Sequence, residues 1–432
     1  MIGQRGRALA LATTLGLGIG LAGCAPSSSE SGSGSGGEGG ETTLTVWSWR
    51  VEDQAAYEKI FDAYEAKNEG VTVDFKTFKA TEYNKILATG LSGSDGPDVP
   101  QVRSYGQLQP TIASGSLVPL DDEIDLEGWD DNAVASAKGT DGSLYSVPLA
   151  TQTVQMFYNK GLLEEKGLEV PTSWEDFVAM NDALLADEIT PIAVGAKDDW
   201  TLPIVHEVLA APRFGGADFQ DAVATGEKDF TDPDWVASVQ VVGDLKKYMP
   251  KDVTGLAATD AQTMFTSEQA AMIPGGSFDL AVLQKGNPEM EIGTFQVPAP
   301  PGSPEGSEPT TAGWSDGNFA VSKKSEHQEE AMELVRWMAT KEFGQMVADE
   351  VKQLSAVPGV TYGDPVLGEM AKSYEANPSP YLLLTDFRYG SPAGTDLLGT
   401  GIQEMLLGDK DATQVSSELD KGVKSWFEPT KK

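Results

Sequence analysis

From Leu44 onward the chain alternates β-rich runs with stretches of helical period, and this alternation restricts it to a parallel α/β architecture. Leu44 to Trp47 reads as a strand. Tyr57, Ile60, Phe61 and Tyr64 then recur on one helical face. Asn68-Glu69-Gly70 stops that helix. Val71, Val73 and Phe75 alternate as in a half-buried strand, and Tyr83, Ile86 and Leu87 begin a second helix. The pattern returns further on. Thr172-x-x-Glu175, after Pro171, has the form of a capping box and leads into Phe177, Met180 and Leu184. Asn318 to Ser322 reads as a strand, followed by a helical face of Ala331, Leu334, Val335 and Met338. No fixed-period repeat is present, which excludes solenoids and propellers. At 432 residues the chain is too long for one comfortable core, so two lobes are expected.

The formal net charge of −35 should repel phosphate backbones and anionic lipid heads, so nucleic acid is not an expected partner. The sole cysteine, Cys24, excludes an intramolecular disulfide. Arg5 and Arg7 precede a charge-free run, Ala8 to Gly23, shorter than the roughly 20 residues a spanning helix needs. That run has the form of a secretory signal. It ends in Leu21-Ala22-Gly23-Cys24, which resembles the bacterial lipobox and implies a lipid on Cys24. Residues 1–23 are thus expected to be a signal peptide, and residues 24–41 a Ser/Gly-rich tether holding the body to the outer face of the membrane.

Gly-x-Gly-x-x-Gly matches occur in the signal, at Gly18, and in the tether, from Gly32. Neither sits between a strand and a helix, as a dinucleotide site requires. The two histidines, His206 and His327, are far apart and have no metal-ligand spacing. No P-loop occurs. No catalytic residue, metal or cofactor is expected, although 66 carboxylates leave a glycosidase-type acidic pair open.

Tyr158-Asn159-Lys160-Gly161-Leu162-Leu163, followed by Pro171-Thr172-Ser173-Trp174-Glu175, resembles the signature region of family 1 extracellular solute-binding proteins. These are the maltose-binding-protein-like receptors of ABC importers. Asp98-Val99, the segment Ala270 to Gly276, and Trp314 to Ser322 with Val357-Pro358 beyond resemble further blocks of that family in the same order. The resemblance implies a two-lobed α/β fold of the type II periplasmic-binding-protein class, with a hinge crossed three times and a ligand cleft between the lobes. Lobe one would take residues 42–150 and 297–357, and lobe two residues 151–296 and 358–432. It implies a receptor, not an enzyme, that hands a sugar or oligosaccharide to permease subunits, working as a monomer. A polyol phosphate, polyamine or other small solute is the alternative ligand, with room for an anion at Arg103 and Arg388. An anchored carbohydrate-active enzyme is a second alternative.

A sugar presents apolar C–H faces to aromatic rings and hydroxyl rims to polar groups, so rings and polar side chains in loops after strands are the candidates. Trp49, with Arg50, Glu52 and Asp53 beside it, follows the first strand as a ring platform or a packing residue. Arg103 and Tyr105 follow the Asp98-Val99 strand, as ligand contacts or surface loop. Gln152 lies at the implied hinge, where it could meet a hydroxyl or cap the crossover. Trp200 follows a polar loop and offers a stacking face. Ser277 and Phe278 follow Gly275-Gly276, where the backbone can approach a ligand or simply turn. Trp314 and Asp316 pair a ring with a carboxylate. Gln353, together with Arg388 and Tyr389 in a Gly-flanked stretch, completes the set. Trp129, Trp174, Trp235, Trp337 and Trp426 are expected to pack.

Overall fold

The computed structural model describes residues 41–388 and 390–429. The signal, Cys24, most of the tether and Tyr389 lie outside the described residues. The described chain is a mixed α/β structure built on two sheets, as a two-lobed type II fold requires.

The first sheet has the order β2-β1-β3-β9. Strands β1 (Thr42–Ser48) and β2 (Val71–Thr77) run parallel in the register Thr42↔Val71 to Ser48↔Thr77. Strand β3 (Val99–Val102) is parallel to β1, and β9 (Asn318–Phe319) returns antiparallel to β3. The connection from β1 to β2 is the helix α1 (Gln54–Glu65), whose buried residues are Tyr57, Ile60, Phe61 and Tyr64. Helix α2 (Ala80–Ser92) joins β2 to β3. Both helices fall where the apolar spacing puts them, because an i, i+3, i+4 stripe can be buried only as a helix face on the sheet.

The second sheet centres on β4 (Ala150–Asn159), a ten-residue strand. Its first half pairs with β8 (Thr311–Asp316) and with β10 (Leu354–Ser355), and its second half with β6 (Ala270–Gly276) and β7 (Ile292–Phe295). Strands β5 (Thr190–Ile192) and β11 (Pro378–Pro380) lie at the ends of the order β11-β8-β4-β6-β5. Helix α3 (Trp174–Ala186), helix α4 (Leu202–Phe214) and helix α5 (Pro233–Asp244) pack around this sheet, and Trp235, Phe214, Phe219 and Phe230 form an aromatic core beneath them.

Asn318 to Ser322 runs extended beside β3: Asn318–Phe319 pairs as β9, and the N–H groups of Ala320 and Ser322 go on to the Pro100 and Asp98 carbonyls at 3.0 and 2.9 Å. One expectation needs correction. The cap of α3 is Ser173 with Asp176, not Thr172 with Glu175. Ser173 Oγ accepts from the Asp176 N–H at 3.1 Å and donates to the Asp176 carboxylate at 2.7 Å. The sequence holds both frames, and Phe177, four residues beyond the observed cap, is fully buried.

Other assignments hold. Trp235 is buried, and Trp337 packs against Tyr64 and Phe343. His206 is a core residue. It lies between Phe214 and Trp235, its Nε2 is 2.8 Å from Ser238 Oγ, and burial pushes it down to about 3. His327 sits at the N-cap of the helix Gln328–Met338.

Between β8 and β9 the chain passes from the second sheet to the first through a single residue, Gly317, with φ +85°. Its carbonyl accepts from Gln101 Nε2 at 3.0 Å, and a Cβ there would meet Gln101 and Leu149 at 2.9 and 3.0 Å. Left-handed backbone and crowding act together, so Gly317→Ala should lower the unfolding free energy by about 2 kcal/mol. Urea denaturation checks this, and an unchanged midpoint and slope would show that the crossing is relaxed.

Candidate functional site

Topology brings the candidates to one junction. The carboxyl ends of parallel strands β1 and β3 deliver the loops that carry Trp49 to Asp53 and Arg103 to Tyr105. Strand β6 ends at Gly276 and delivers Ser277 and Phe278. Because β4 runs antiparallel to β6, with Val154 opposite Gly276, the start of β4 and its Gln152 lie beside that same end. The loop edges of the two sheets therefore meet, as ligand sites in open α/β sheets require.

Four candidates form one buried hydrogen-bond relay. Gln353 Nε2 donates to Asp53 Oδ2 at 3.2 Å, and Gln152 Nε2 donates to Gln353 Oε1 at 2.9 Å. Ser277 Oγ donates to Gln152 Oε1 at 2.8 Å and accepts from the Thr153 N–H at 3.1 Å. The direction is fixed from both ends. An ionised Asp53 can only accept and the Thr153 amide can only donate, so both glutamine amides and the serine hydroxyl have one consistent orientation.

Arg50 holds the first end. Its Nε and Nη2 reach the two Asp53 carboxylate oxygens at 2.7 and 3.2 Å, and Nη2 also donates to the Phe278 carbonyl at 3.0 Å. That last bond joins the loop after β1 directly to the loop after β6. Burial opposes the charge on Arg50, but the Asp53 and Glu52 carboxylates outweigh it and hold the guanidinium protonated.

A second cluster surrounds Arg103. Its guanidinium lies 3.7 Å from the Trp49 ring centroid, and Nη1 pairs with Asp316 at 3.3 Å. Trp49 is 7 % exposed and packs against Tyr83, so the ring is a support for Arg103 and not an open platform. Trp314 is likewise buried, edge-on to Tyr381 and Phe278. Tyr105, at φ +52°, donates from its hydroxyl to Asn132 and accepts from the Ser315 N–H. Arg103 and Arg388 line a cavity of about 760 Å³.

Trp200 stands apart. It is 49 % exposed and borders a small hollow with Gln262 and Asp279. Asp279 accepts from Gln262 Nε2 and from the Gly276 N–H, and burial raises its carboxyl to about 6.

Sequence reasoning left out three residues of this region. Arg50 stood beside Trp49 but its partner, the Phe278 carbonyl, is 228 positions away. Asp279 follows Phe278 directly, and its signal was the Gly-Gly-Ser-Phe-Asp turn. Glu207, on α4, is buried with Oε1 unpartnered, and it acts electrostatically on the buried Tyr381. No local pattern marks it.

Among the described residues no group of three or more His, Cys, Asp or Glu side chains could hold a metal ion, and no helix is long and apolar enough to cross a membrane. Two sheets meeting at their loop edges around a polar junction and a cavity define a two-lobed solute-binding protein.

The comparisons make the class specific. The profile described as bacterial extracellular solute-binding protein matches residues 48–345, and the chain belongs to that family. The multiple sugar-binding protein of Streptococcus mutans is 28% identical over 335 residues, covering 74% of this chain and 76% of that protein. The melibiose/raffinose/stachyose-binding protein MelE of Bacillus subtilis is 21% identical over 388 residues, covering 86% and 88%. Among solved structures, the solute receptor AcbH superposes with a TM-score of 0.77 at 22% identity, covering 90% of this chain and all of that one. RafE in complex with raffinose superposes at 0.73 and 22%, covering 89% and 99%. At these identities the structural likeness establishes the fold.

Burial raises the Glu207 carboxyl to about 8 from its ordinary 4.5. Between those values the folded chain keeps a proton that the unfolded chain has released, so this group removes stability as pH rises through the window. Glu207→Gln cannot ionise. Its stability advantage over the native chain should grow by on the order of 2–4 kcal/mol from pH 5 to pH 8.5. Denaturant curves that keep a constant offset across that range would refute the buried acid.

Proposed function

We propose that this chain is the extracellular receptor of an ABC importer, taking a sugar or oligosaccharide between its two lobes and passing it to permease subunits. The observation that carries this reading is the meeting of both sheets' loop edges at one buried relay, Asp53–Gln353–Gln152–Ser277. A ligand that touches both lobes shifts the chain toward the arrangement in which those edges meet, by its differential affinity for that arrangement. Similarity to relatives named for multiple sugars and for melibiose, raffinose and stachyose supports a carbohydrate as the ligand.

The lobes are residues 42–150 with the stretch between Gly317 and Gln353, and the remainder of the body. Against the expected 297–357, both ends of the returning segment differ in this reading. The pairing of β8 in the second sheet and the packing of Trp314 in the second core support the later start. The protein acts as a monomer without catalysis, anchored to the cell surface through a lipid on Cys24.

The full chain, screened against neutral and acidic mono- and oligosaccharides, should gain thermal stability with at least one and return it chemically intact. At a ligand concentration of ~100 times Kd the gain is about 2.7 kcal/mol. A broad panel without a shift, or release of cleaved products, would overturn the receptor reading. Cys24→Ala should move the protein from the membrane fraction to the medium. Equal retention of both forms on the membrane would remove the anchor.

A further inference from the structure

The cavity of about 760 Å³ has a charge opposite to that of the molecule. The chain carries 66 acidic residues against 31 basic, yet four cationic side chains and no carboxylate line this cavity. Arg103, Lys323 and Lys324 come to it from the first sheet's lobe, and Arg388 reaches it from the far end of the sequence. In so acidic a chain, four cations collected around one hollow keep a cost in mutual repulsion, and an anion between them would relieve it.

Local pairing does not account for them. Arg103 has one carboxylate partner, Asp316, held through Nη1 alone at 3.3 Å, and its Nε is buried without a hydrogen-bond partner. Among the described residues neither Arg388 nor Lys323 has an ion pair within 4 Å; the Asp396 carboxylate interacts with Arg388 only through space. Lys324 donates to the Ser92 carbonyl, which is neutral. Gln107, also on the wall, has a buried Oε1 with no partner. Burial lowers Arg103 to about 10, with Asp316 opposing and the nearby Arg388 charge lowering it further. The two guanidinium groups are thus close enough to repel each other across the hollow. Planar guanidinium forks suit carboxylate and phosphate oxygens, and the Trp49 face fixes the plane of one of them.

We propose that this cavity binds an oxyanion, the carboxylate or phosphate group of an acidic sugar, so that the transported solute is a uronic-acid saccharide or a sugar phosphate. The sugar part rests on the receptor reading above; the anion part rests on the cavity alone. Arg103 and Arg388 hold the oxyanion from the two sides, and Lys323 and Lys324 set a positive entrance.

Calorimetric titration of the full chain tests this with four probes: oligogalacturonides of two to four sugars, neutral galacto-oligosaccharides of equal length, glucose 6-phosphate, and inorganic phosphate. The expected result is at least tenfold tighter binding of one acidic probe than of its neutral counterpart. That preference should weaken as salt rises from 50 to 500 mM, as screening requires. It should fall at least tenfold in Arg388→Gln and in the double variant Lys323→Gln/Lys324→Gln. The lysines are exposed, so the double variant keeps the test valid if Arg388→Gln does not fold. Oligogalacturonide against glucose 6-phosphate distinguishes carboxylate from phosphate. Equal binding of acidic and neutral sugars, unchanged in the variants, would overturn the anion site and leave the receptor intact. Phosphate binding without any sugar binding, lost in the variants, would support the site and sink the sugar reading. Binding of none of the four would overturn the anion site, and the receptor reading would still stand or fall on the broad panel.

Discussion

The contact between Arg50 and the Phe278 carbonyl, together with the relay running from Asp53 to Ser277, is the constraint on which the arrangement of the two lobes depends. Each group in the relay is buried and each has a partner in the next. Breaking one link would strand a donor or acceptor away from water, at a cost of about 1–3 kcal/mol per group. The relay therefore favours one placement of the first sheet's loops against the second sheet's, and opposes intermediate ones. Such all-or-none pairing is what a binding protein needs if its shape is to report occupancy.

The sheets make the relay possible. Strand β4 is shared by partners from distant parts of the chain, and its two halves pair with different strands. Gln152 sits in the first half, next to the end of β6, so a single strand carries the junction. Gly317 does the corresponding work on the return path, since β8 and β9 are separated by that residue alone. The same edges frame the cavity at Arg103, where the electrostatic balance of the acidic chain is locally reversed.

Much of this was legible in the sequence. The stripe Tyr57, Ile60, Phe61, Tyr64 can be buried in only one way, and the alternation at Val71, Val73 and Phe75 fixes the next strand. Asp53 and Ser277 are candidates because they follow strands, and Gln152 because it lies at the implied hinge. What could not be read is which side chains pair with each other. Gln152 is expected to meet a ligand hydroxyl or cap the crossover, and in the structure it meets Gln353 across 201 positions. Trp49 reads as a platform or a packing residue, and Trp314 as a ring beside a carboxylate, because a tryptophan in a loop looks the same whether it is covered or free. Only three-dimensional packing places Arg103 over one and Tyr381 against the other. The cap of α3 lies one residue beyond the expected one because two Ser/Thr-acid frames overlap, and it is Ser173 Oγ that takes the Asp176 N–H.

The central claim is that a solute brings the two loop edges together. Single-molecule energy transfer between dyes on Glu69→Cys and Asp409→Cys, both exposed, in a Cys24→Ala background measures it directly. With a stabilising sugar the efficiency distribution should move from a broad or low state to one narrow population, and Gln353→Leu should reduce that population at the same sugar concentration. A distribution that is identical with and without bound sugar would contradict the account.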